Sequence, residues 1–298
     1  MAGNPNVRLK FLNRPENVLL VRQALNGLAE ALGMDALELN DITTAVTEAC
    51  NNVVLHAYGG DEGPLEVELS APPGGLDVIV RDRGSGIRPG ARGTGEQVSG
   101  GIGLPVIHAL AQTVELRDIP GGGTEVEMHF ATTAGRSFTE PTSPLAGAEL
   151  EFSERGGAGA DGVGAGVASS SDTAMMTVAP APVAGSVLPR VLSALAARAY
   201  FPTDRISDAQ TLAQVLLERI AGSVSASHLT IAITVVPHSL ELRIGPLDSG
   251  RADQLLDPSP AAGLSPVLER LGVGHEVAPT AGVRGGETLA VRLAGGRA

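Results

Sequence analysis

Tryptophan is absent from this 298-residue chain, and aromatic side chains make up only 2% of it. Cores must therefore be built from Ala, Val and Leu, and no row of rings is available to stack nucleic-acid bases. A formal net charge of −12 further opposes a polyphosphate backbone as partner. The single cysteine, Cys50, excludes an intramolecular disulfide framework, and neither it nor the six histidines fall in metal-ligand spacing. No apolar run approaches the roughly 20 residues of a membrane helix. Residues 1–14 lack the apolar centre of a signal peptide, so the expected setting is the soluble cytoplasm, away from membranes. There is one lysine, Lys10. It stands in neither a Gly-x-x-x-x-Gly-Lys-Ser/Thr loop nor a Val-Ala-Ile-Lys strand, which removes both Walker-type and eukaryotic-kinase-type phosphate binding. No Gly-x-Ser-x-Gly nucleophile elbow occurs.

What the chain does contain is three short motifs in its first half. The first is Glu48-Ala49-Cys50-Asn51-Asn52, with His56 four residues on. It lies in residues 41–57, where Ile42, Ala45, Val46, Ala49 and Val53 follow helical spacing. This predicts a helix with Asp41 as N-cap and one buried stripe, Cys50 being part of the core. Glu48, Asn52 and His56, each four apart, then share a separate face. Glu48 and Asn52 offer oxygens that suit a hard ion such as Mg2+. His56 can equally be structural, beside the helix C-terminal dipole. The second motif, Asp82-Arg83-Gly84-Ser85-Gly86, ends an apolar run over residues 76–80 that reads as a buried strand. Its aspartate can accept from an exocyclic amine such as that of adenine, while Gly84 and Gly86 let backbone approach a flat ligand. The third, Gly100-Gly101-Ile102-Gly103-Leu104, precedes a helical run over residues 104–111. Glycines at a helix start leave free amides for an anion. Residues 88–99, with Pro89, Gly90, Gly93 and Gly95, suit a mobile lid over phosphates. Taken singly, the motifs also read as a solvated helix face, an ordinary Asp-Gly turn and a flexible loop.

In order and spacing the three together resemble the Bergerat-type ATPase superfamily, which includes sensor histidine kinases and type II topoisomerase ATPase subunits. Within it the first half is most similar to bacterial anti-sigma factor serine/threonine kinases. The resemblance implies an α+β fold, a two-layer α/β sandwich, and ATP with Mg2+ as ligands. It implies that Glu48 is the catalytic general base, that Asn52 binds Mg2+, and that Asp82 reads adenine. Gly84 and Gly86 would shape the base pocket, Gly100, Gly101, Gly103 and Leu104 would hold the phosphates, and Thr124 would support the adenine contact. A Gly-x-Gly-x-x-Gly pattern at Gly157, Gly159 and Gly162 has no strand before it and is discounted.

Residues 133–185 are rich in Gly, Ala, Ser, Pro and Thr and read as a flexible linker between a domain at 1–132 and another at 186–298. Beyond it the pattern returns. Residues 208–221 align with 41–54, 239–250 with 75–86, and 261–268 with 100–107, while Gly285-Gly286-Glu287-Thr288 resembles the region of Thr124. The chemistry does not return, because Val215 replaces Glu48, Arg219 replaces Asn52, Pro246 replaces Asp82, and Ala262 and Leu264 replace Gly101 and Gly103. A degenerate second copy is expected, forming an internal pseudo-dimer or leaving the chain a homodimer. The activity implied is serine phosphorylation of an anti-sigma antagonist, with a sigma factor as the other partner. Two alternatives stand beside it: a nucleotide-gated regulator that transfers no phosphate, and a histidine-kinase-like ATPase domain.

Overall fold

A computed structural model describes residues 5–86, 103–138, 172–179, 181–220, 229–257, 264–280 and 286–296. The chain divides into two units, one formed by residues 1–144 with 177–191 and the other by residues 145–176 with 192–298.

In the first unit β1 (Val7–Leu12) buries Val7, Leu9 and Phe11 on one side, the two-residue alternation of a half-covered strand. Two helices follow, α1 (Val18–Leu32) and α2 (Ala36–Asn52). Between them Gly33 takes a left-handed φ of 70° and lets the Met34 N–H reach back to Ala29 O at 2.9 Å, closing α1 with a Schellman-type cap. The helix expected to begin after Asp41 starts six residues earlier. Asp35 is its N-cap, accepting from the Leu37 N–H at 2.7 Å, with Glu38 completing a capping box. The apolar stripe misses this first turn because Leu37 is 72% exposed. After Asn52 the helix widens into a π-type turn, Val53–Ala57. Strands β2 (Pro64–Ser70) and β3 (Gly75–Asp82), helix α3 (Gly103–Leu110), and strands β4 (Thr113–Asp118) and β5 (Thr124–Ala131) complete it.

The strands lie in the order β4-β5-β3-β2-β1, with every pair between β1 and β5 antiparallel. Alternate residues bury Leu65, Val67, Leu69, Val78, Val80, Met128 and Phe130, while α1 and α2 supply the apolar side of a two-layer α+β sandwich. The other sheet face carries ion pairs: Arg81 with Glu125 at 2.5 Å and Glu68 at 2.9 Å, and Arg117 with Glu127 at 2.7 Å. Residues 177–191 belong to this same unit. There a Cβ built on Gly27 would lie 2.6 Å from Ser186 O, so α1 can meet that backbone only through glycine.

The strand β6 (Asp172–Val178) and the start of α4 (Ala181–Arg198) fall inside the stretch that composition assigns to the linker. The alternation of Ala174, Met176 and Val178, all buried, is what distinguishes β6 from its Gly-rich surroundings. From there the chain runs through α5 (Thr203–Ile220), β7 (Leu229–Val236), β8 (Ser239–Asp248), two short helices α6 (Arg251–Leu255) and α7 (Ser265–Leu271), then β9 (Gly274–Pro279) and β10 (Gly286–Ala294). The later strands are ordered β9-β10-β8-β7-β6, the order of the first unit repeated. Register repeats too: Val78 faces Met128 in one unit and Leu242 faces Val291 in the other. On α5, Ala209, Leu212, Ala213, Leu216 and Ile220 are buried with the same spacing as Ile42, Ala45, Val46, Ala49 and Val53.

Candidate nucleotide site

Glu48 and Asn52 stand one turn apart on α2, and α3 begins directly against them. A Cβ built on Gly103 would lie 3.1 Å from Glu48 Oε2 and 3.3 Å from Asn52 Oδ1. Glycine at that position keeps the space beside both oxygens free, and it presents the amide end of α3 there, where an anion is favoured. Leu104 follows in the first turn of α3, half-buried. Gly100 and Gly101, and the lid expected over residues 88–99, lie outside the described residues. His56 does not join Glu48 and Asn52 in a common row. It is exposed within the wide turn, where i→i+5 winding breaks the four-residue spacing.

Asp82 closes β3 and is buried, 4% exposed. Its carboxylate accepts from the Gly84 N–H at 2.8 Å. Burial pushes its pKa up, and the donor groups of Gly84 and Thr124 beside it oppose the shift. Thr124, which the sequence points to only through resemblance, begins β5 beside Asp82, one step beyond the pairing of Arg81 with Glu125. A Cβ built on Gly123 would lie 2.1 Å from Asp82 O, so the glycine run ahead of Thr124 is what lets β5 start this close.

Gly84 has a similar reason to be glycine. A Cβ there would lie 2.1 Å from Ala57 O, while the Ser85 N–H donates to that same carbonyl at 2.9 Å. The loop after Asp82 therefore rests on the wide turn at the end of α2. Gly86 has φ of 69°. Gly84→Ala forces backbone apart and is expected to destabilise the protein by about 1–3 kcal/mol in denaturant unfolding. Gly135→Ala, whose Cβ meets nothing within 4 Å, is expected to change stability by no more than about 0.5 kcal/mol.

Cys50, beside the site in sequence, is fully buried, and burial pushes its thiol up to about 12, which makes it core. Among the described residues no group of three or more His, Cys, Asp or Glu is arranged to hold a metal, and no helix is long and apolar enough to cross a membrane. In the second unit the aligned positions are Val215, Arg219, Pro246 and Leu264. Leu264 is fully buried, whereas Gly103 leaves room beside two oxygens.

An antiparallel sheet backed by helices, with a carboxylate and a carboxamide one turn apart on one helix and a buried aspartate ending a central strand, is the arrangement of the histidine kinase-like ATPase class. The histidine kinase-like ATPase domain family matches residues 11–130, and the chain belongs to that family. Among its relatives the serine-protein kinase RsbW of Bacillus pumilus is 30% identical over 125 residues, covering 37% of this chain and 77% of the relative. The RsbW of Bacillus subtilis is 31% identical, with 39% and 79% covered. The anti-sigma F factor of Caldanaerobacter subterraneus subsp. tengcongensis is 29% identical, with 43% and 94% covered. The RsbU and RsbW domains of a Mycobacterium tuberculosis protein, known from a crystal structure, are 22% identical with a TM-score of 0.34, covering 44% of this chain and 34% of that one.

Proposed function

We propose that the first unit binds Mg-ATP and transfers its terminal phosphate to a serine or threonine of an anti-sigma antagonist protein, and that the chain acts as an anti-sigma regulatory factor. The observation that carries this reading is the convergence of Glu48, Asn52 and the amide end of α3, with Asp82 buried at the end of a central strand. In this role Glu48 accepts the proton of the attacking hydroxyl. The buried carboxylate of Asp82 accepts from the adenine amine, while Gly103 and Leu104 face the phosphates. The pair of Glu48 and Asn52, with few protein ligands nearby, fits Mg2+. Asn52 would hold the ion, which when bound neutralises phosphate charge.

The test is calorimetric titration of the full chain with Mg-ATP. One site per chain is expected. Asp82→Asn is expected to weaken affinity by about 10- to 100-fold, as loss of a hydrogen bond to a charged group does. Because Asp82 must be ionised to accept, and its pKa is raised, affinity is also expected to fall with decreasing pH while still above the ordinary aspartate range. No binding by the wild-type protein would end the kinase reading. Binding without any phosphorylated partner would favour a nucleotide-gated regulator instead.

We further propose that the second unit is a degenerate copy without nucleotide chemistry. The repeated element order, sheet order and register support duplication, and Val215, Arg219, Pro246 and Leu264 at the aligned positions support the loss. A stoichiometry of two nucleotides per chain would refute it.

A further inference from the structure

One residue past the expected site helix, Tyr58 does what a strand rung normally does. The β2–β3 ladder ends with Leu65 opposite Asp82, so Pro64 comes next opposite Arg83. Their backbones do not bond directly. The Tyr58 hydroxyl stands between them, accepting from the Arg83 N–H at 2.8 Å and donating to Pro64 O at 2.6 Å. The ring passes so close over Gly63 that a Cβ there would lie 2.1 Å from Tyr58 Cε1. Gly63 is in turn fixed by Asn13, whose side chain accepts the Gly63 N–H at 2.9 Å. One residue earlier, the Ala57 carbonyl receives the Ser85 N–H. The loop that follows Asp82 is therefore hung at both Arg83 and Ser85 from the turn ending α2, the helix that carries Glu48 and Asn52.

We propose that Tyr58 is a positioning residue of the nucleotide site, its hydroxyl fixing the distance between the Asp82 loop and the Glu48–Asn52 helix. The inference rests on the nucleotide reading above. With phenylalanine the ring still packs on Gly63, but the Arg83 N–H loses its acceptor and the β2 and β3 ends can drift apart, with Asp82 at the point of separation. The strand core at residues 76–80 is untouched by this loss, which separates positioning from general stability.

The experiment uses Tyr58→Phe in the full chain with two readouts. Without nucleotide, amide hydrogen exchange over residues 83–86 is expected to quicken about five- to tenfold, the scale of one lost neutral hydrogen bond, with residues 76–80 unchanged. Mg-ATP affinity is expected to weaken by a similar factor, appearing in KM rather than kcat. Unchanged exchange at 83–86 overturns the proposal whatever the nucleotide result. Wild-type-like affinity in Tyr58→Phe, while Asp82→Asn is weakened, overturns the positioning role alone. Failure of the wild-type protein to bind Mg-ATP overturns the nucleotide reading and the positioning role together.

Discussion

Glu48→Gln is expected to lower phosphate transfer to a serine-bearing antagonist by about 10²- to 10⁴-fold, the range that a positioned general base contributes, while Mg-ATP affinity stays within about threefold. The substitution keeps the shape and one oxygen of the side chain beside Gly103 and Asn52 but removes its capacity to take a proton. In the proposed reading binding depends on other groups, since Asp82 and Thr124 lie on β3 and β5. Labelled phosphate transfer measured beside calorimetric affinity separates the two effects. Retained transfer in the variant would remove Glu48 from the role of base. A parallel loss of affinity and transfer would show instead that the carboxylate serves binding, through Mg2+ or the phosphates.

The part of this site readable from the sequence was the part written in residue type. Glu48, Asn52 and Asp82 are polar groups in apolar frames, and the periodicity around them places each on its element. The placing of Thr124 beside Asp82 was reachable only through resemblance, because 42 residues separate them and only antiparallel register brings them together. Gly84 was expected to yield to a ligand. In the structure its nearest neighbour is the Ala57 carbonyl, a backbone contact that no pattern of side chains encodes. Tyr58 went unnoticed for the same reason, since its role depends on the ladder ending at Leu65 and Asp82.

For the fold, burial periodicity was reliable in helix interiors and failed at their ends. The capping box Asp35 and Glu38 was present as residue types, yet the exposed Leu37 hid the first turn. Beyond the Gly-rich stretch, the short alternation in β6 was outweighed by composition. The likeness between the two units is sharper in structure than in sequence, because backbone conformations agree where residue types differ. Gly74 follows Pro73 in the β2–β3 turn with φ of 79°, and His238 follows Pro237 in the β7–β8 turn with φ of 61°. Gly33 after α1 and Tyr200 after α4 share the left-handed cap, at 70° and 59°. Tyr200 and His238 hold left-handed positions that favour glycine, at a cost of about 1–2 kcal/mol each, in turns like those of Gly33 and Gly74.

Arg205→Ala is expected to destabilise the second unit by about 3–5 kcal/mol, the cost of breaking a buried charge pair from one side. The side chain is 1% exposed. It donates to Ala294 O at 2.9 and 2.7 Å, to Leu271 O at 2.7 Å and to Asp208 Oδ2 at 2.8 Å. Arg205 is the third residue of α5, as Glu38 is the third of α2. Both tie the start of the second helix to the end of the last strand: Glu38 accepts the Thr133 N–H and hydroxyl, each at 2.8 Å. The two joints occupy matching places with opposite polarity, and the one at Arg205 is the more deeply buried. The Glu38 version lies in water, and Glu38→Ala is expected to cost only about 1 kcal/mol. Arg205→Lys retains charge but cannot span three acceptors with one ammonium, so it should fall between. Denaturant unfolding of the three variants checks the order. An Arg205→Ala loss no larger than that of Glu38→Ala would mean that water enters and satisfies Ala294, Leu271 and Asp208, and that this joint does not hold the second unit together.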